Sequence, residues 1–147
     1  MGDPAGIGAE IVVRAFNNPV IFESAQPFVV GSPQPLLQAM QQTGIELPIQ
    51  PISSPEQCKA QPGIQLLTPP GLNLEGLKQG CVSAAAGHAA VSYFETAVDL
   101  CLHKRLAAVV TCPIHKEAVH LAGYLNDIGH QEILARMTGS ALTATML

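Results

Sequence analysis

The stretch SAAAGHAAVSYFETAVDLCLHKRLAAVVTCPIHK, residues 83–116, decides the fold class. Ser83 is a helix-capping residue, and alanines with β-branched and aromatic residues recur from it to Lys104 at helical spacing. Lys104 and Arg105 suit the negative end of the helix dipole. The apolar run Ala107-Ala108-Val109-Val110-Thr111 then has the character of a strand buried on both faces of a parallel sheet. Its C-terminal end releases Cys112-Pro113-Ile114-His115-Lys116, after which a second helix is expected. Helices alternating with short apolar runs predict an α/β layer architecture. Ligands of open parallel sheets bind beyond the carboxyl ends of the strands, so 111–116 is the first place to look for chemistry.

Upstream, the residues from Gly6 to Phe16 predict a helix that starts in a tight loop, with Ile7, Ile11 and Phe16 among its apolar positions, and Asn17-Asn18-Pro19 stops it. A short buried strand is expected at Phe28-Val29-Val30, then a helix from Pro35 to Gln42 ended by Gly44. Pro48 to Ile52 reads as a strand that its prolines confine to a sheet edge. Ser53 to Gly80, rich in Pro, Gly and Gln around the single run Ile64-Gln65-Leu66-Leu67, reads as loop, a surface excursion or a partner-facing arm. Downstream, Gly129-His130 opens a helix expected from Gln131 to Met137, and 143–147 reads as the beginning of a strand.

The 147 residues fit one domain, and 48% hydrophobic against 12% charged residues excludes a disordered chain. Seven Lys and Arg against 11 Asp and Glu leave a net charge of −4, with the cations scattered and no Trp, so nucleic-acid binding is not expected. Cys58, Cys81, Cys101 and Cys112 match no CxxC or zinc-knuckle spacing and are expected as reduced thiols. The opening MGDPAGIG lacks the features of a signal peptide, and no apolar run is long enough for a membrane span. The expected compartment is the cytoplasm.

Three segments carry candidate chemistry. Gly2 to Glu10 places small residues before a helix N-terminus, where free amides favour an anion, with Asp3, Gly6 and Gly8 as candidate contacts; on the residues alone plain turn-and-cap geometry is the stronger reading. It is neither a dinucleotide fingerprint nor a Walker loop. His115 and Lys116 stand at the expected strand exit, where Lys116 is able to meet an anionic substrate. His130, after a glycine at a helix start, is able to contact a phosphate or hydroxyl. His115 and His120, five apart, fall on different sides of a helix, so a metal site with Asp127 or Glu132 is not expected. His88 and His103 read as packing or surface residues and Cys112 as a small buried hydrophobe.

Taken together, Gly2–Glu10, the segment Val110-Thr111-Cys112-Pro113-Ile114-His115-Lys116-Glu117-Ala118, and Gly129-His130-Gln131-Glu132 with Leu134 and Thr138-Gly139 resemble the 4-hydroxythreonine-4-phosphate dehydrogenase family of pyridoxal phosphate biosynthesis. The resemblance implies an isocitrate/isopropylmalate-dehydrogenase-like α/β/α sandwich, here only as an N-terminal fragment. It also implies a homodimer that uses NAD or NADP and a divalent metal (zinc, magnesium or cobalt) to oxidise 4-phosphohydroxy-L-threonine, the product then losing carbon dioxide. The family's substrate-contacting histidine corresponds to His130. Gln131 stands where the family usually has threonine, and His115 where asparagine is common, while Lys116 matches.

The Gln131 departure leaves open a substrate such as threonate or erythronate 4-phosphate. The family's metal-binding histidines and its phosphate and cofactor contacts are expected beyond residue 147. Met1 coincides with a methionine that family members carry inside their first strand, so residues 1–147 are expected to be an N-terminal part, incomplete at both ends and inactive alone. An inactive fragment that serves as an interaction module is the non-enzymatic alternative.

Overall fold

The computed structural model describes residues 1–127 and 129–140. In chain order the elements are α1 (Gly8–Phe16), α2 (Ile21–Ser24), β1 (Val29–Val30), α3 (Pro33–Thr43), β2 (Ile49–Ile52), a 3-10 turn (Pro55–Gln57), β3 (Ile64–Leu67), α4 (Ala84–Leu102), α5 (Lys116–Leu121) and α6 (His130–Thr138). The α/β class expected from the sequence holds. The strands form a parallel sheet in the order β1-β3-β2, with Val29 opposite Leu66 and Ile49 opposite Ile64.

Side-chain alternation along the strands divides the core. Val29, Ile64 and Leu66 face α1 and α3, where they meet Val13, Leu36 and Ala39. Val30 on the opposite face meets Ala89, Tyr93 and Ala97 of α4. A third cluster joins α4 to the last two helices through Val91, Phe94, Val98, Val119 and Ile133.

Local chemistry explains the helix ends. The Ser83 hydroxyl accepts from the Ala86 amide at 3.2 Å to start α4, as a capping serine should. Gly44 (φ 67°) and Gly139 (φ 65°) end α3 and α6 in the left-handed region that glycine enters without strain.

Several sequence expectations need correction. The first helix begins at Gly8, not Gly6, and buries Ala9, Val12 and Val13 while Ile7 and Ile11 stay exposed. Ile64–Leu67 is not part of a surface excursion. It is the central strand, because both neighbouring strands pair with it; the Pro and Gly content around it belongs to the turns that deliver it. Pro48–Ile52 holds as an edge strand, observed over Ile49–Ile52.

The largest correction concerns 107–111, which is not a strand: among the described residues no backbone hydrogen bond pairs it, and Val110 is 95% exposed. Past its end, the N-terminal loop bonds the Pro113 carbonyl through Asp3 N–H at 2.9 Å. On its other side the Met1 ammonium donates to the Val30 carbonyl at 2.9 Å. The strand expected at 143–147 lies outside the described residues.

Candidate substrate cleft

The two sequence segments flagged downstream of the long helix come together. Pro113, Ile114 and Lys116 form one wall of an open cleft of about 410 Å³, and Gly129, His130, Gln131 and Glu132 form the other. The walls meet because α5 and α6 both pack on α4. Gly87 of α4 makes the first contact: a Cβ there would overlap the carbonyl of Ala118 in α5. Ile133 of α6, fully buried, joins Phe94 and Val98 of α4.

Lys116 is the first residue of α5 and is exposed, its ammonium open to a ligand. His130 is half-buried, its ring edge-on to Phe94 with centroids 4.8 Å apart. Burial, and secondarily the charge of the Met1 ammonium, push its pKa below the usual 6.5. The imidazole is therefore neutral at pH 7, one nitrogen donating and the other accepting. His115 stands at the N-cap position of α5 without a side-chain cap bond, outside the cleft lining and exposed to solvent.

The Gly2–Glu10 loop is organised by its own carboxylate. Asp3, buried, accepts from the Ala5 amide at 2.8 Å through Oδ1, and the Asp3 carbonyl accepts from Gly6 N–H at 3.1 Å. The Ala5 and Gly6 carbonyls are taken in turn by Gly80 N–H (2.8 Å) and Gln79 Nε2 (2.7 Å). Gly2 and Gly8 have steric reasons to be glycine, since a Cβ would strike the Pro113 carbonyl at one and the Met1 carbonyl at the other. The loop thus adjoins the cleft through Pro113 but contributes no lining residue.

Glu132, part of the segment flagged in the sequence but given no role there beyond a metal partner for a histidine, also lines the cleft from the first turn of α6. Asp127 is held by Arg136 at 2.8 Å. Among the described residues no three His, Cys, Asp or Glu side chains come together as a metal site. All four cysteines are free, and burial pushes the half-buried Cys112 thiol up, away from thiolate chemistry. His88 is exposed and bonded to Tyr124 Oη at 2.9 Å, and His103 is exposed beside Asp99. Among the described residues no helix is long and apolar enough to cross a membrane.

Comparison with known proteins identifies the family. The family model described as pyridoxal phosphate biosynthetic protein PdxA matches residues 23–147. The chain is 37% identical to a D-threonate 4-phosphate dehydrogenase of Cupriavidus necator, over 100% of this chain and 44% of that protein. It is also 37% identical to a 4-hydroxythreonine-4-phosphate dehydrogenase of Desulfosudis oleivorans, over 100% of this chain and 43% of that one. The crystal structure of a 4-hydroxythreonine-4-phosphate dehydrogenase from Burkholderia phymatum superposes with a TM-score of 0.88 at 36% identity, covering 95% of this chain and 42% of the other. The chain therefore spans less than half the length of the curated relatives it matches.

Proposed function

The chain belongs to the family of pyridoxal phosphate biosynthetic protein PdxA, and from that premise we propose that residues 1–147 are the N-terminal part of a nicotinamide-dependent dehydrogenase of phosphorylated four-carbon hydroxy acids. The observation that carries the reading is the convergence of Lys116, His130 and Gln131 on one cleft. A substrate with a carboxylate and a phosphate brings close to three negative charges at pH 7, and the Lys116 ammonium offsets one of them. Neutral His130 and the Gln131 amide supply directional hydrogen bonds to hydroxyl or phosphate oxygens. NAD or NADP, when bound, would supply a hydride acceptor for the substrate's carbinol carbon.

Two substrates fit the reading. With 4-phosphohydroxy-L-threonine the oxidation is followed by decarboxylation, on the way to pyridoxal 5'-phosphate. Gln131 opens the second, a threonate or erythronate 4-phosphate, because an amide lines the cleft where the family usually has threonine. Among the described residues no side-chain group fits a divalent metal, whether zinc, magnesium or cobalt. Its ligands belong, in this reading, to segments beyond residue 147. The resemblance extends the proposal to a cytoplasmic homodimer.

Two features support a place within a larger sheet. The Met1 amine donates to the carbonyl of Val30 in β1, and Ala107, Ala108, Val110 and Thr111 are exposed while Val109 packs against the core. The test is nicotinamide reduction with each of the two acids, by this chain and by a polypeptide that continues it through the downstream family segments. Turnover is expected only from the longer protein, and Lys116→Gln in it should raise KM several-fold. Turnover by residues 1–147 alone would overturn the fragment reading. Turnover of neither acid by the longer protein would overturn the substrate class.

A further inference from the structure

The helix that carries His130 and Gln131 is weakly anchored by its apolar side. It has nine residues, and Ile133 is the one it buries. An isolated helix of that length is marginal, so tertiary contacts decide its orientation. Gly129, at its N-cap, offers no side chain to fix the entry.

Arg136 supplies the missing constraint. Its Nε and Nη2 donate to Asp127 Oδ1 and Oδ2 at 3.2 and 2.8 Å, the bidentate geometry a guanidinium favours. Nη2 also donates to Glu95 Oε1 at 2.7 Å. Asp127 is only 5% exposed and sits on the turn that leads into α6, where its amide bonds the Tyr124 carbonyl at 3.3 Å. Glu95 follows Phe94, the residue against which the His130 ring stands. One guanidinium thus ties the body of α6 both to the turn that starts it and to the stretch of α4 under His130.

We propose that Arg136 is a positioning residue for the cleft: by locking α6 to Asp127 and Glu95 it sets the rotation that presents His130 and Gln131 towards Lys116. Arg136 itself lies outside the cleft lining, about 9 Å along the helix from His130, and acts through the helix. The inference rests on the proposed substrate role of the cleft for its consequence, not for its geometry.

A purely structural ion pair would change stability alone, so the test separates stability from position. In residues 1–147, NMR follows the titration of the His130 imidazole, assigned with His130→Gln, and the amide shifts caused by inorganic phosphate. Arg136→Gln leaves the Asp127 carboxylate buried without its partner and should lower Tm. The double variant Asp127→Asn/Arg136→Gln removes that charge and should recover much of the Tm. In both variants the His130 midpoint should rise towards 6.5 as the ring leaves Phe94, and the apparent phosphate affinity should fall several-fold. Arg136→Lys, with the charge but no fork, should fall between.

An unchanged His130 titration in both Gln-bearing variants would overturn the proposal. A moved titration in wild-type protein that shows no phosphate response would leave Arg136 as the positioner of His130 and would instead overturn the substrate reading of the cleft.

Discussion

Gly87 of α4 and Ala118 of α5 meet backbone to backbone, closely enough that a Cβ on Gly87 would overlap the Ala118 carbonyl. That contact lets Val119 bury itself completely against Val91 and Phe94, and it places Lys116, two residues before Ala118, at the rim of the cleft. Packing deep in the α4–α5 interface and the position of a surface ammonium are therefore one geometric fact.

Gly87→Ala should accordingly cost about 3 kcal/mol, the upper end of overpacking penalties, because backbone rather than a flexible side chain obstructs the methyl. Urea denaturation of the variant, with an unchanged m-value and a lower midpoint, would bear this out. A midpoint equal to wild type would mean that the crossing is looser than described.

Tyr93→Phe should destabilise by about 1–3 kcal/mol, because the Tyr93 hydroxyl donates to Ser32 Oγ at 2.7 Å where both residues are buried, and the change leaves the serine unpaired. The same burial pushes the Tyr93 hydroxyl up to about 12, so it stays protonated throughout the working range. Tyr93→Phe/Ser32→Ala should lose less than the two single losses added together, measurable as a thermal double-mutant cycle.

Stability should fall with acid in a window set by His130. Its folded pKa lies below the unfolded 6.5, so the unfolded chain binds more protons between those values. The contribution is complete above pH 6.5 and is lost as pH falls through the lowered folded value. The Met1 amine, pushed below 8.0 by burial, acts with the same sign in a higher window. A Tm–pH profile should therefore decline from pH 8 downward, and His130→Gln should flatten its lower part; a slope there unaltered by the substitution would contradict the assignment.

In the longer protein, Gln131→Thr, which introduces the residue usual in the family, should shift preference towards 4-phosphohydroxy-L-threonine over D-threonate 4-phosphate. The expected change in the ratio of kcat/KM values is about tenfold, the scale of one altered substrate contact. Equal ratios in the two proteins would remove Gln131 from substrate selection.

The legibility of the fold followed the range of the forces involved. Ser83 as a cap, Gly44 and Gly139 as stops, and prolines confining Ile49–Ile52 to an edge are interactions within a few residues, and each was readable. The face that α1 buries was not, because Ile7 and Ile11 are as apolar as Val12 and Val13 and only the position of the sheet selects between them. In the cleft, His130, Gln131 and Lys116 were singled out by residue type and motif. The Arg136–Asp127–Glu95 tie was not, since its carboxylates lie nine and 41 residues away along the chain.

By itself, then, the sequence determined the cap of α4, the stops of α3 and α6, the α/β class, and which side chains bear the chemistry, because capping, backbone freedom and functional groups are local properties. Tertiary structure alone decided that Ile64–Leu67 is the central strand, that 107–111 pairs with no strand among the described residues, and that Lys116 faces His130 across one cleft. Each of these depends on backbone and side chains brought together from distant positions, and hydrogen-bond pairing and burial act between whichever segments the packed helices make neighbours.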